Sequence, residues 1–196
     1  MILYIKKDYD SSVADSESLA KRCISLYMNE KNASASYDAE DFSINKTDKG
    51  KPYIEKGPSF SVSHTANVWA CLVSEFNVGF DIQIEKLNVK FEAIAKRFFE
   101  EREREYVEKT GIKGFYQVWT AREAYAKYTG EGFFGKSMSD FSLADFMFDN
   151  KNVECSEYKI QFVNLSEVYY DDKLYCAICL PIGEEFCVHN IRVLEI

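Results

Sequence analysis

Glu123 and Lys127 stand four residues apart in Trp119-Thr-Ala-Arg-Glu-Ala-Tyr-Ala-Lys127, a stretch without Gly or Pro. A helix puts both side chains on one face, with Cβ atoms roughly 5–6 Å apart. An acid and an ammonium so placed could hold a metal and a phosphate; as a bare surface pair they are worth only ~0.3–0.5 kcal/mol. Upstream, Val78-Gly-Phe-Asp-Ile-Gln83 reads as a strand with Asp81 on one side and Phe80, Ile82 and Ile84 on the other. Asp81 is thus a polar intruder in an apolar run. Ser63 and His64 invite a hydrolase reading, but neighbours on a strand face opposite ways and cannot act as nucleophile and base. His189 has no motif around it and reads as packing.

The elements that must position these groups follow from periodicity and punctuation. Residues 1–6 read as a strand, and Asp15-Ser-Glu-Ser caps a helix over 16–29 whose apolar side is Leu19, Cys23, Leu26 and Tyr27. Gly50 and Pro52 mark a basic loop leading into a short extended piece. Strands are predicted at 60–64, 68–75 and 78–84, then a helical stripe through Phe91, Ile94, Ala95, Phe98 and Phe99 that continues through Glu100 to Glu108. Gly111 and Gly114 interrupt it. A longer helix is predicted over 115–128, ended by Gly130, Gly132 and Gly135, and strands again at 158–163, 174–180 and 188–194. The order implies an α+β fold of two similar halves, residues 1–85 and 86–196, forming one pseudo-two-fold unit. Each half is a helix packed on a small antiparallel sheet of about three strands, and ligands are expected in the cleft between them.

Composition narrows the classes. The 196 residues suit one folded unit, and 46% hydrophobic with 29% charged residues argue against disorder. A formal charge of −8 argues against broad binding to nucleic acid or to an anionic membrane surface, so an anionic ligand must be met locally. Cys176-Ala-Ile-Cys179 has the C-x-x-C spacing, yet it sits in a strand-like run rather than at the start of a helix, which disfavours zinc and redox roles. Met1 to Lys6 is too short for a signal segment, and no run approaches the ~18 apolar residues of a membrane span. A reduced, cytoplasmic, monomeric protein is expected.

Taken together, Gly50-Lys-Pro-Tyr53, Phe60-Ser-Val-Ser-His64, Gly79-Phe-Asp-Ile-Gln83, Ile94-Ala-Lys-Arg-Phe-Phe99 with Glu103 beyond it, and Trp119 to Lys127 resemble the 4′-phosphopantetheinyl transferases. The likeness runs from about Asp41 to Leu180 and is to the longer, surfactin-synthetase-activating, single-chain pseudo-dimeric type. It implies transfer of phosphopantetheine from coenzyme A to a serine hydroxyl of an apo acyl or peptidyl carrier protein, with release of adenosine 3′,5′-bisphosphate. It further implies Mg²⁺, with Mn²⁺ as a substitute, held by Asp81, Glu123 and Gln83, since Mg²⁺ prefers a few carboxylate oxygens plus substrate phosphates. Glu123, Lys127 and Glu103 become the catalytic residues, Lys127 facing the phosphates and Glu103 (or a metal-bound water) accepting the serine proton. Lys51, Pro52, Ser63, His64, Asp81 and Lys127 become the coenzyme A contacts.

The chain departs from the pattern in three places. Gln83 stands where the group commonly has Glu, which predicts a weaker or more water-ligated Mg²⁺. Arg122 replaces the more usual Lys before Glu123 and is read as a carrier or phosphate contact. The region before Asp41 is shorter than in the relatives and lacks their basic segment, so contacts to the 3′-phosphate are expected from elsewhere, with Lys21, Arg22 and Lys46 as candidates, and Lys90, Lys96, Arg97 and the loop after Gly130 are candidates for docking an acidic carrier. A nucleotide pyrophosphate hydrolase and a non-catalytic carrier-binding relative are the rival readings.

Overall fold

The structure is a computed structural model that describes residues 1–86, 88–133, 152–154, 157–166 and 173–195. Cys155, Gly135 and most of the loop expected to dock a carrier lie outside these residues.

Alternate residues of β1 (Ile2–Lys6) enter two different cores. Ile2 and Tyr4 pack under α1 (Ser16–Lys31), whereas Leu3 and Ile5 face the other way. Asp15 caps α1 by accepting the Ser18 N–H at 2.8 Å, and the inner side of the helix presents Leu19, Cys23, Ile24 and Tyr27. β2 (Ile44–Lys46) and β3 (Pro52–Ile54) form a separate two-stranded ribbon. β4 (Ser59–Thr65) and β5 (Val68–Ser74) pair antiparallel and β5 also pairs with β1; every residue of β5 is buried because it is covered on both faces.

β6 (Gly79–Ile84) turns away from its sequence neighbour and opens a second sheet. What joins it to the first sheet is a row of hydroxyls. Ser61, Ser63 and Thr65, on one face of β4, accept the N–H groups of Phe80, Ile82 and Ile84 at 3.0, 3.3 and 3.1 Å. An unpaired buried N–H is expensive, so these side chains take the place of a missing backbone partner along that edge of β6.

The predicted stripe from 91 to 108 is two helices, α2 (Phe91–Phe98) and α3 (Glu101–Thr110). Phe99 and Glu100 are extended between them, and the Glu103 carboxylate accepts the Glu100 N–H at 2.9 Å to start the second. Gly111, at φ 68°, separates α3 from α4 (Ile112–Thr129), but Gly114 lies inside α4, where it permits close contact with Thr110 and Tyr106. Gly130 ends α4 in the left-handed conformation, as expected.

β7 (Asn152–Glu154), β8 (Tyr158–Phe162) and β9 (Leu174–Pro181) complete the second sheet in the order β6-β9-β8-β7, all antiparallel. β10 (Ile191–Val193) returns to the first sheet, beside β1 and parallel to it, giving β10-β1-β5-β4. Among the described residues, hydrogen bonding between strands therefore crosses position 85 through β6 with β9 and β10 with β1.

The result is four layers of α+β structure. α1 covers one face of the first sheet; Leu3, Ile5, Ala70 and Leu72 meet Phe80, Ile82, Cys176 and Ile178 between the sheets; α4 covers the far face of the second sheet over Ile160, Ala177 and Cys179, with α2 and α3 packed against α4. Cys176 and Cys179 consequently point to opposite faces of β9, which excludes a shared metal or disulfide for the C-x-x-C spacing. Among the described residues no helix is long and apolar enough to cross a membrane.

Candidate active site

Asp81 lies on β6 facing α4, and it is 2% exposed. Its Oδ1 accepts from the Ser63 hydroxyl at 2.6 Å and from the Lys127 ammonium at 2.8 Å, and its Oδ2 from the Gln83 amide at 3.3 Å. Lys127 is thus held by an acid 46 residues away in sequence, in place of a simple pair with its helical neighbour Glu123. Glu123 lies within the field of both: burial first, and the Asp81 charge second, push its carboxyl above the usual carboxylate range, while Lys127 opposes them. Two acids and one ammonium, drawn from β6 and α4, therefore share one electrostatic environment.

The approach of α4 to β6 depends on Gly79. A Cβ there would collide with the Ala124 carbonyl and the Tyr128 nitrogen, so only a residue without a side chain lets the helix lie close to the strand. Spacing then does the rest, since Glu123 and Lys127 rise from one side of α4, one turn apart.

A cavity of about 250 Å³ opens beside this cluster. Glu123, Ala126 and Lys127 form one wall and Lys49 to Pro52 of the β2–β3 ribbon another, with Phe60 to Val62, Gly130, Gly132 and Phe133 completing the lining. The ribbon is fastened to the end of α4: Lys51 Nζ donates to the Tyr128 carbonyl at 2.7 Å and to Asn77 Oδ1 at 2.6 Å, and Lys49 pairs with Glu131 at 2.7 Å. Burial lowers the Lys51 pKa to about 8. Lys49, Lys51 and Lys127, on two walls of the cavity, give an anion a local positive environment in a chain of charge −8.

Of the residues singled out in the sequence, Lys51, Pro52, Glu123 and Lys127 line the cavity, and Asp81, Ser63 and Gln83 join it through the hydrogen bonds around Asp81. His64 does not join them. It faces the opposite side of β4, exposed, in a shallow depression with Asp8, Tyr9 and Asp10. Glu103 is not brought there either: it is 1% exposed, and both its oxygens accept from Arg122, at 2.7, 2.9 and 3.1 Å. Burial raises its carboxyl pKa, opposed by Arg122. Arg122, expected to face a carrier or a phosphate, is 3% exposed and occupied with this pair. The sequence alone did not point to Asn77 and Glu131, whose roles depend on long-range placement, nor to Ser61 and Thr65, which alternate with Ser63 at a visible period of two.

Comparison with known proteins decides the family. The sequence model of the 4′-phosphopantetheinyl transferase superfamily matches residues 77–179, just over half of the chain. The chain belongs to this superfamily. It is 30% identical over 100 residues to the 4′-phosphopantetheinyl transferase gsp of Aneurinibacillus migulanus, covering 48% of this chain and 41% of that one. It is 35% identical over 94 residues to the 4′-phosphopantetheinyl transferase HetI of a Nostoc species, covering 43% and 40%. A 4′-phosphopantetheinyl transferase of Bacillus subtilis is 32% identical over 101 residues, covering 48% and 44%. Each match spans less than half the length of the relative. The superfamily segment contains Asp81, Gln83, Glu103, Glu123 and Lys127, whereas Lys51, Ser63 and His64 precede it.

Among the described residues no three His, Cys, Asp or Glu side chains converge on a metal-sized site. The groups expected from the sequence to hold an ion, Asp81, Glu123 and Gln83, are two carboxylates and an amide that can offer oxygen. That set fits Mg²⁺, which takes one or two carboxylates and completes its shell with water and substrate phosphate.

Proposed function

We propose that the protein transfers 4′-phosphopantetheine from coenzyme A to a serine hydroxyl of an apo acyl or peptidyl carrier protein, releasing adenosine 3′,5′-bisphosphate, with Mg²⁺ as cofactor. The observation that carries this reading is the Asp81–Glu123–Lys127 cluster beside a lysine-lined cavity, within the segment that matches the superfamily. Asp81, Glu123 and the Gln83 carbonyl would hold the ion, which when bound neutralises charge on the diphosphate.

The chain's own groups then divide the work. Ser63 donates its hydroxyl hydrogen to Asp81 and, through its acceptance of the Ile82 N–H, fixes that carboxylate against β6. Lys127 is 29% exposed at its side chain, so its ammonium can exchange Asp81 for an entering phosphate oxygen without crossing the core. A compact ammonium on a flexible stem suits charge that moves toward the leaving oxygen during transfer. Lys51 and Lys49 shape the cavity through their contacts with Tyr128, Asn77 and Glu131. The ordinary reaction with water is disfavoured wherever the carrier closes the open side.

Incubation with coenzyme A, Mg²⁺ and an apo acyl carrier protein tests this directly. The carrier is expected to gain ~340 Da, the phosphopantetheine increment of a covalent modification. Accumulation of free 4′-phosphopantetheine with an unmodified carrier would instead show a pyrophosphate hydrolase.

A further inference from the structure

Glu103 and Arg122 form a buried ion pair at side-chain exposures of 1% and 4%. A proton acceptor has to reach the attacking hydroxyl with a lone pair of its own. Here Arg122 Nη2 and Nε donate to Glu103 Oε2 at 2.7 and 2.9 Å, Nε also donates to Oε1 at 3.1 Å, and the Glu100 N–H donates to Oε2 at 2.9 Å. Neither residue lines the cavity. Arg122 cannot pass a proton onward either, because a guanidinium stays charged in proteins.

What the pair does is mechanical. It ties the first turn of α3 to α4 at the residue immediately before Glu123. Successive residues of a helix diverge by about 100°, at 3.6 per turn. Gripping Arg122 on the α3 side therefore fixes the roll of α4 and turns Glu123, and Lys127 one turn on, toward Asp81. The geometry points to Glu103 as a positioning residue that acts through Arg122 to set the direction of Glu123, and not as the acceptor of the incoming hydroxyl's proton. The inference rests on the transfer reading above and deepens it.

Carrier modification as a function of pH, and Mn²⁺ affinity read from the spin-resonance signal of the free ion, test it in Glu103→Gln, Arg122→Met and the double variant Glu103→Met with Arg122→Met. Arg122→Met leaves a buried carboxylate without its partner, and it is expected to lower both kcat and Mn²⁺ affinity by about tenfold or more. The double variant, which replaces the pair by apolar side chains of similar length, recovers most of both. Glu103→Gln, still able to accept from Arg122, lowers kcat by less than about tenfold and keeps the acid limb of the pH–rate profile. Loss of that limb in Glu103→Gln, or a double variant no better than Arg122→Met, overturns the inference, since deleting a partner cannot rescue a missing base. Mn²⁺ binding without carrier modification by the unaltered protein refutes the transfer reading alone, and the Mn²⁺ affinities of the variants then decide the role of Glu103. Absence of Mn²⁺ binding by the unaltered protein overturns both.

Discussion

Lys51 is held by two oxygen acceptors, the Tyr128 carbonyl and Asn77 Oδ1, yet burial lowers its pKa from 10.5 to about 8. Between those values the unfolded chain binds more protons than the folded one, so this residue's contribution to stability becomes more favourable as pH rises through that window. The stability difference between the unaltered protein and Lys51→Met should therefore shift toward the unaltered protein from pH 7 to pH 10, measured by denaturant midpoints; a difference independent of pH contradicts the shift. Gln83 poses a second question at this scale. It reaches Asp81 Oδ2 and sits where an acid would add a third negative charge to Asp81 and Glu123. Gln83→Glu is expected to lower the Mg²⁺ concentration for half-maximal transfer about tenfold. An unchanged requirement would remove Gln83 from the ion's surroundings. Asp81, Lys127 and Glu123 were legible as single residues because an acid within an apolar strand and an i,i+4 pair are both visible in sequence. That Lys127 turns to Asp81 was not, because the contact spans β6 and α4.

At the scale of elements, α4 and the strands from 59 to 84 follow their periodicity, β5 being apolar on both faces because a core lies on each; α1 does so too, except that Leu26, expected on its apolar side, is exposed and Ile24 is buried instead. The break between α2 and α3 escaped notice because the apolar stripe and the acidic run join without Gly or Pro; the Glu103 carboxylate at the Glu100 N–H makes the new start. His64 shows the reverse case. Its neighbour Ser63 belongs to the cluster, and strand alternation alone sends His64 to the other face, as the rejection of a Ser–His dyad already required. The most exacting contact between elements is Gly79 beneath α4. Gly79→Ala has to push the helix off β6, and overpacking of this kind costs about 1–3 kcal/mol. Activity is expected to fall further than the loss of stability explains, because the shift also parts Lys127 from Asp81. Melting temperature and kcat measured together check this; a stability loss with full activity would show that the approach serves packing only.

Over the whole molecule, β6 and β10 are the strands that interlock the two sheets, one carried into the second sheet and the other returned to the first. The parallel return of β10 beside β1 had no signal in the sequence, where three residues at a strand edge look like any other short extended run. Such an exchange, with a shared core of Leu3, Ile5 and Leu72 against Phe80, Ile82 and Ile178, leaves neither sheet complete alone. Unfolding should then be a single transition. The two tryptophans report it from opposite ends: Trp69 in the core under α1, and Trp119 on α4 stacked on Phe133 at 4.9 Å. In Trp69→Phe and in Trp119→Phe, the remaining fluorescence and the far-ultraviolet circular dichroism should share one denaturant midpoint. Separate midpoints within either variant would mean that the halves unfold independently.

The Mg²⁺ dependence of carrier modification, read as the intact mass of an apo acyl carrier protein, tests the central claim most directly. Modification should stop in excess chelator, return with Mg²⁺, and fall by about a hundredfold or more in Asp81→Asn and Glu123→Gln at saturating ion. Undiminished modification in chelator, or full activity in both variants, would contradict a reaction built on these two acids.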